Sequence, residues 1–184
     1  MKRFITFFAV IMLALPVLGS AKDMNGKFSL GFFNSDAPVG LRYWVSPQIG
    51  LDLGVGFEMK DVYFNGSKES ATSFWVDFGV PYVIWERDRA NFFIRPGAMI
   101  AILDDRVYGT GTLDETWTQF TFSLTPGAEV FFGDHFSLSA GHGIAIQMTS
   151  VPDAVGAPRG GESETEIRSF DASVTHIGFH YYFF

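Results

Sequence analysis

Cysteine is absent from all 184 residues. That excludes disulfides, zinc–thiolate sites, iron–sulfur clusters, thiol nucleophiles and a lipid-anchored bacterial N-terminus. Charge is scarce: Asp, Glu, Lys and Arg make up 18% of the chain, below the roughly 25% usual in soluble domains. A basic surplus is missing too. The formal net charge of −7 argues against nucleic acid, whose phosphates demand a positive surface. After the first 20 residues no long apolar run remains, so the rest of the chain holds no helical membrane span. No charge run or Ser/Pro linker divides the sequence, and its length suits one domain. What is abundant is Phe, with 21 copies, and Gly, with 20. The order of these bulky and small residues carries the rest of the reading.

Lys2 and Arg3 precede the apolar stretch Phe4–Leu15, then Pro16 and the small residues Gly19, Ser20 and Ala21. A basic start, a short apolar core, a breaker and an A-x-A-like site make a secretory signal peptide. Gly19 and Ala21 fall at the −3 and −1 positions, so residues 1–21 are expected to be cleaved and 22–184 to form the exported domain. Losing Lys2 and Arg3 deepens the net charge from −7 to −9.

Beyond that segment the period is two. Ile49, Leu51, Leu53, Val55, Phe57 and Met59 alternate with Gly50, Asp52, Gly54, Gly56, Glu58 and Lys60, which is a strand with two unlike faces. Similar alternation runs through Ser73–Ile84, Gln119–Val130, Phe136–Met148 and His176–Phe183, with weaker forms at Lys27–Asn34, Val39–Val45 and Phe92–Leu103. The count is eight strands. Ser46–Gln48, Glu86–Asn91 and Gly133–His135 read as short turns; Asp61–Ser70, Asp104–Glu115 and Val151–Ile167 read as longer loops, and Ser35–Pro38 as a brief one on the same side. Pro81, Pro96 and Pro126 are expected to mark bulges towards the short-turn rim.

The less apolar face separates a soluble barrel from a membrane one. A water-facing strand should carry Lys, Glu and Arg at most sites, whereas this face carries mainly Gly, Ser, Thr and Gln. Small polar residues suit the interior of an eight-stranded barrel, which is just filled by side chains. The bulky face is nearly free of charge, as lipid requires, and closure leaves no unpaired edge in hydrocarbon. Aromatics cluster beside the turns as an interfacial girdle would: Tyr43 and Trp44, Tyr82 and Trp85, Phe92 and Phe93, Phe131 and Phe132, Phe136, and Tyr181–Phe184. The predicted fold is all-β: a closed, eight-stranded, antiparallel up-and-down transmembrane β-barrel. A lipocalin has similar length and strand number, but its G-x-W signature near the first strand is missing.

The chain's last residues, His176 to Phe184, resemble the C-terminal signal of bacterial outer-membrane barrels. His176, Gly178, Tyr181 and Phe183 fit it, with Phe184 following. Signal peptide, strand count and ending together resemble the small OmpA/OmpX-type barrel family across nearly the whole mature chain. That resemblance implies recognition by the barrel-assembly machinery and an outer-membrane location among lipid and lipopolysaccharide. The peptidoglycan-binding domain that many larger relatives append is not expected, since the given sequence stops within its last strand.

The inner face collects Lys27, Arg42, Asp52, Glu58, Lys60, Asp77, Arg95 and Glu129. Charges in a narrow interior must pair, so an ion-pair network closing the lumen is expected; a narrow small-solute pore lined by the same residues is the alternative. His142 falls on the lipid face of its strand, where a polar side chain is expensive; a bulge at Gly141 or Gly143 could turn it inward. A lipid A-modifying enzyme is the less favoured alternative: His135-Phe136-Ser137 resembles the H-x-S pair of the outer-membrane lipid A deacylase family, yet it lies at a short turn and lacks a third member. The acids Asp104, Asp105, Asp114, Glu115, Glu162, Glu164 and Glu166 lack the spacing of a calcium loop and read as solvated loops. No catalytic residue, metal or cofactor is implied. The expected role is structural or surface-interacting, with acidic extracellular loops whose partner is unknown.

Overall fold

The computed structural model describes residues 23–108, 116–150, 163–169 and 175–183. The signal segment, Asp114, Glu115, Glu162 and Phe184 lie outside the described residues. The strands are β1 (Phe28–Phe32), β2 (Val39–Trp44), β3 (Gly50–Phe64), β4 (Ser67–Gly79), β5 (Tyr82–Arg87), β6 (Ala90–Asp104), β7 (Thr116–Phe132), β8 (Phe136–His142), β9 (Ile144–Ser150), β10 (Ser163–Arg168) and β11 (Thr175–Phe183). β4 and β5 run end to end against β6. β8 and β9 do the same against β7, and β10 and β11 continue the pattern against β9 and β8. The eleven segments thus form eight staves. β11 pairs with β1 from Phe183↔Phe28 to Phe179↔Phe32, so the antiparallel sheet closes on itself.

The faces follow the sequence period. Leu51, Leu53, Val55, Phe57 and Met59 point outward and are exposed, whereas Asp52 and Gly54 are buried. The same alternation places Phe120, Phe122 and Leu124 outside and Thr121 and Thr125 inside.

Two prolines explain the interruptions. Neither Pro96 nor Pro126 makes a bulge: β6 and β7 keep one register from Ala90↔Val130 to Asp104↔Thr116. Each instead withholds a backbone N–H from its other neighbour. Pro96 lies beside the gap between Gly79 and Tyr82, and Pro126 beside the gap at Gly143. The bulge that does occur falls between Val83 and Trp85, leaving Ile84 and Trp85 both exposed.

Several expected loops are strand. β3 and β4 stay paired through Asp61–Ser70 up to Phe64↔Ser67. Asn65 (φ 50°) and Gly66 (φ 82°) close them in the two-residue Asn-Gly turn that positive φ favours. Ser163–Ile167, inside the expected Val151–Ile167 loop, pairs with β9. Asp104 is the last residue of β6, followed by a helical turn, Asp105–Tyr108. Asp104 is buried, with its carboxylate 2.7 Å from Arg106, which also meets Glu69 at 2.8 Å. It is therefore no solvated loop acid.

The connection after β1 folds inward rather than out. Phe33, Asn34 and Ala37 are buried, and Asn34 Oδ1 accepts from the backbone N–H groups of Asp36 and Ala37. Glycines make the room. A Cβ at Gly40 would stand 2.1 Å from the Phe33 ring, and one at Gly56 would stand 1.8 Å from the Asp36 carbonyl oxygen.

The aromatic girdle is thinner than expected. Tyr43, Tyr82, Trp85, Phe132, Phe136, Tyr181 and Phe183 are exposed, but Trp44, Phe93, Phe131 and Tyr182 are buried inside. Adjacent strand residues face opposite ways, so a pair such as Tyr43-Trp44 places only one ring outside.

Candidate functional site

Five of the eight predicted inner charges meet at the centre of the lumen. Arg42 on β2 faces Asp52 on β3 as its direct cross-strand partner. It donates through Nε to Oδ1 at 2.6 Å and through Nη2 to Oδ2 at 2.9 Å, the bidentate fork that planar guanidinium favours. Its Nη1 reaches Glu129 on β7 at 3.0 Å. Arg95 on β6 donates to Asp52 and to Asp77 on β4, each at 2.8 Å. All five side chains are within 5% of full burial.

Two guanidiniums face three carboxylates; neutral donors supply further hydrogen bonds to Glu129 and Asp77, while the buried Arg95 Nη1 has no partner among the described residues. Tyr182 O–H donates to Glu129 at 2.8 Å, and the Ser137 hydroxyl donates to the same carboxylate. Asn34 Nδ2 donates to Asp77 at 3.2 Å. Trp44 Nε1 in turn donates to the Tyr182 oxygen at 3.2 Å. The Arg42 guanidinium also lies 5.5, 5.8 and 6.0 Å from the ring centres of Phe33, Trp44 and Phe93, within reach of cation–π attraction. Buried charge is tolerated only when its remaining lone pairs and protons are met.

Apolar layers flank this network. At the short-turn end Met24, Trp44, Val83, Phe131 and Tyr182 form one buried cluster. Towards the other end lie Phe33 and, further up, Trp75, Met99, Ala101 and Leu103 with Trp117 against them.

Three predicted members stand apart. Lys27 is half-buried just before β1, outside the network. Glu58 and Lys60 bond to each other at 2.7 Å with substantial exposure, because β3 outruns β2. Sequence reasoning did not name Asn34, Trp44, Ser137 and Tyr182 as partners. The last three share the inner parity, which was visible; Asn34 belongs to the connection that folds in, which was not.

Gly79 opens space for the network. A Cβ there would stand 2.1 Å from Arg95 Cζ. The Gly79→Ala variant is therefore expected to lose about 1–3 kcal/mol by overpacking, read as a lower urea midpoint. A midpoint equal to that of the unaltered protein would show that Arg95 has room to shift.

His142 points outward with Leu138, Ala140, Ile144 and Ile146. Its Nδ1 lies 2.9 Å from Thr175 Oγ1, and β7 keeps one register on either side of the Gly143 gap. No inward turn occurs. The H-x-S pair is not assembled either. His135 Nδ1 lies 3.0 Å from the Tyr182 carbonyl oxygen, while Ser137 turns inward to Glu129. Of the C-terminal signal residues, Tyr181 and Phe183 are exposed, His176 and Gly178 face inward, and Phe184 is not described.

Residues 17–183 match the family model described as outer membrane protein beta-barrel domain. The chain belongs to this outer-membrane β-barrel family. Curated proteins offer no match to it. For an outer-membrane barrel the exposed belt of Leu, Val, Ile and Phe is the surface that lipid covers, as spanning strands require. No helix among the described residues is long and apolar enough to cross a membrane; this barrel crosses with strands. No cluster of His, Asp and Glu among the described residues could hold a metal ion.

Proposed function

We propose that this outer-membrane barrel is a closed, non-catalytic surface protein whose lumen passes no solute. The carrying observation is the filling of the interior across its central cross-section. The Arg42–Asp52–Arg95–Asp77 chain with Glu129 joins side chains of β2, β3, β4, β6 and β7. The Met24–Trp44–Tyr182 layer lies on one side of it and Phe33 on the other. Mobile, hydrated charges would favour a pore; here each charge is held by two or more partners.

The signal segment 1–21 carries the chain to the periplasm and is removed after Ala21. His176, Gly178, Tyr181, Phe183 and Phe184 present the barrel to the assembly machinery. The chain ends and short turns then face the periplasm. The β3–β4 hairpin and the segments after β6 and β9 face outward among lipopolysaccharide, carrying Asp61, Glu69, Glu164 and Glu166.

Planar-bilayer recording of the purified protein tests the closed lumen. No discrete conductance steps are expected. Reproducible steps would instead support the narrow solute pore.

A further inference from the structure

At the long-loop end, above the ion network, a cavity of about 310 Å3 is lined by Leu103, Trp117, Gln119, Gln147, Thr149, Glu164, Glu166 and Arg168. Its volume falls at the lower end of small-molecule pockets, roughly 300–1,000 Å3. The staves build it as a polar ladder. Gln119 pairs with Thr149, which pairs with Glu164; one rung below, Thr121 pairs with Gln147, which pairs with Glu166. Beside this ladder stands an aromatic wall, with Trp117 opposite Leu103 and backed by Trp75, Met99 and Ala101.

Two buried atoms on that wall and ladder have no hydrogen-bond partner among the described residues. Gln147 is 7% exposed, and its Oε1 accepts no hydrogen bond; the buried Trp117 Nε1–H donates none. The amide donors beside them are weakly engaged: Gln147 Nε2 lies 3.5 Å from Thr149 Oγ1, and Gln119 Nε2 lies 3.5 Å from Thr121 Oγ1. A buried polar atom left unmet costs about 1–3 kcal/mol; both atoms are closed to solvent beside the cavity, so a ligand there would meet them only once the side chains turn toward it.

We propose that the cavity binds the hydroxylated ring of a neutral saccharide. A sugar ring has an apolar face to lie against the Trp117 indole and a rim of hydroxyls that both donate and accept. With the two side chains turned toward the cavity, Gln147 Oε1 would accept a hydrogen bond from a hydroxyl, Trp117 Nε1–H would donate one to a ring or hydroxyl oxygen, and exposed Glu164 would accept at the mouth. The neutrality follows from the charges. Glu166 is already engaged by Arg168 at 2.9 and 3.0 Å, and the unmet buried atoms belong to an amide and an indole. An organic cation would leave the indole donor unmet, and a bare acyl chain would leave both groups unmet. The inference rests on the closed-barrel reading only in placing this end outside the cell; it fails or stands by binding, the other by conductance.

The test uses isotope-labelled protein extracted from outer membranes into a phosphocholine detergent, which avoids sugar headgroups. The Trp117 indole N–H resonance is assigned by Trp117→Phe and followed while methyl hexopyranosides are added to millimolar concentration. At least one glycoside is expected to shift that resonance saturably. Gln147→Leu should weaken the response tenfold or more, and Glu164→Gln, at an exposed site where the fold tolerates change, should weaken it severalfold. A parallel titration with core oligosaccharide released from lipopolysaccharide separates two sources of the ligand. A response to simple glycosides points to free sugar, and a response to the oligosaccharide alone points to the cell surface. An indole signal unmoved by any saccharide overturns the proposal, as does a response only to benzyltrimethylammonium. A response that both variants leave unchanged overturns it equally.

Discussion

Replacing Asp52 by alanine is expected to destabilise the barrel by about 3–5 kcal/mol, the cost of removing one partner from a buried ion pair. Asp52 is the hub of the lumen. It takes two hydrogen bonds from Arg42 and one from Arg95, and all three side chains are buried. Its loss leaves two guanidiniums sharing Glu129 and Asp77 at opposite flanks, with no carboxylate between them. The comparison that gives the number meaning is Glu58→Ala. Glu58 bonds Lys60 at a similar distance, 2.7 Å, but the pair is substantially exposed, and exposed pairs contribute about 0.2–1 kcal/mol. Urea unfolding in lipid vesicles measures both. Equal effects from the two variants would mean that the central charges are hydrated and that the lumen is not filled as described.

An arginine on the outward face should be nearly as costly where the bilayer is thickest and almost free at the projecting tip. Leu124 is outward and half-exposed on β7, between Pro96 of β6 and Ile144 of β9. Leu124→Arg is expected to cost about 2–4 kcal/mol, the range for a cationic side chain at the midplane of a barrel. Tyr63 is 83% exposed near the Asn65-Gly66 turn, and Tyr63→Arg should fall within about 0.5 kcal/mol of neutral. Unfolding midpoints in vesicles read the gradient. A flat response across both sites would mean that water, not lipid, covers Leu124.

The strand staves were legible because the period of two is strict where one face meets lipid. Ile49 to Met59 alternates without a break, and the inner members Arg42, Asp52, Asp77, Arg95 and Glu129 fell on the correct face. What parity does not give is height. Glu58 and Lys60 share the inner face with Asp52, yet they sit above the level where β2 ends, so they never reach the network. Local turn chemistry was available and misread: Asn65-Gly66 is a strong hairpin signal, but the polar residues around it suggested a loop. The inward fold of Phe33, Asn34 and Ala37 had no local signature. It depends on Gly40 and Gly56, supplied by neighbouring strands, and such a tertiary fit cannot be read from the six residues themselves. Trp44 and Tyr182 lie beside turns, where a girdle is expected, but their inner parity decides where they face, and both are buried.

The central claim is that this chain forms a closed barrel in the outer membrane with its apolar face to lipid. The most direct test is an electrophoretic gel of the outer-membrane fraction, unheated beside boiled. Closed barrels keep their hydrogen-bonded wall in detergent, so the unheated protein should migrate as a compact band that shifts on boiling. Recovery in the soluble periplasmic fraction, with identical migration before and after heating, would contradict the account and require the outer face to be reassigned to water.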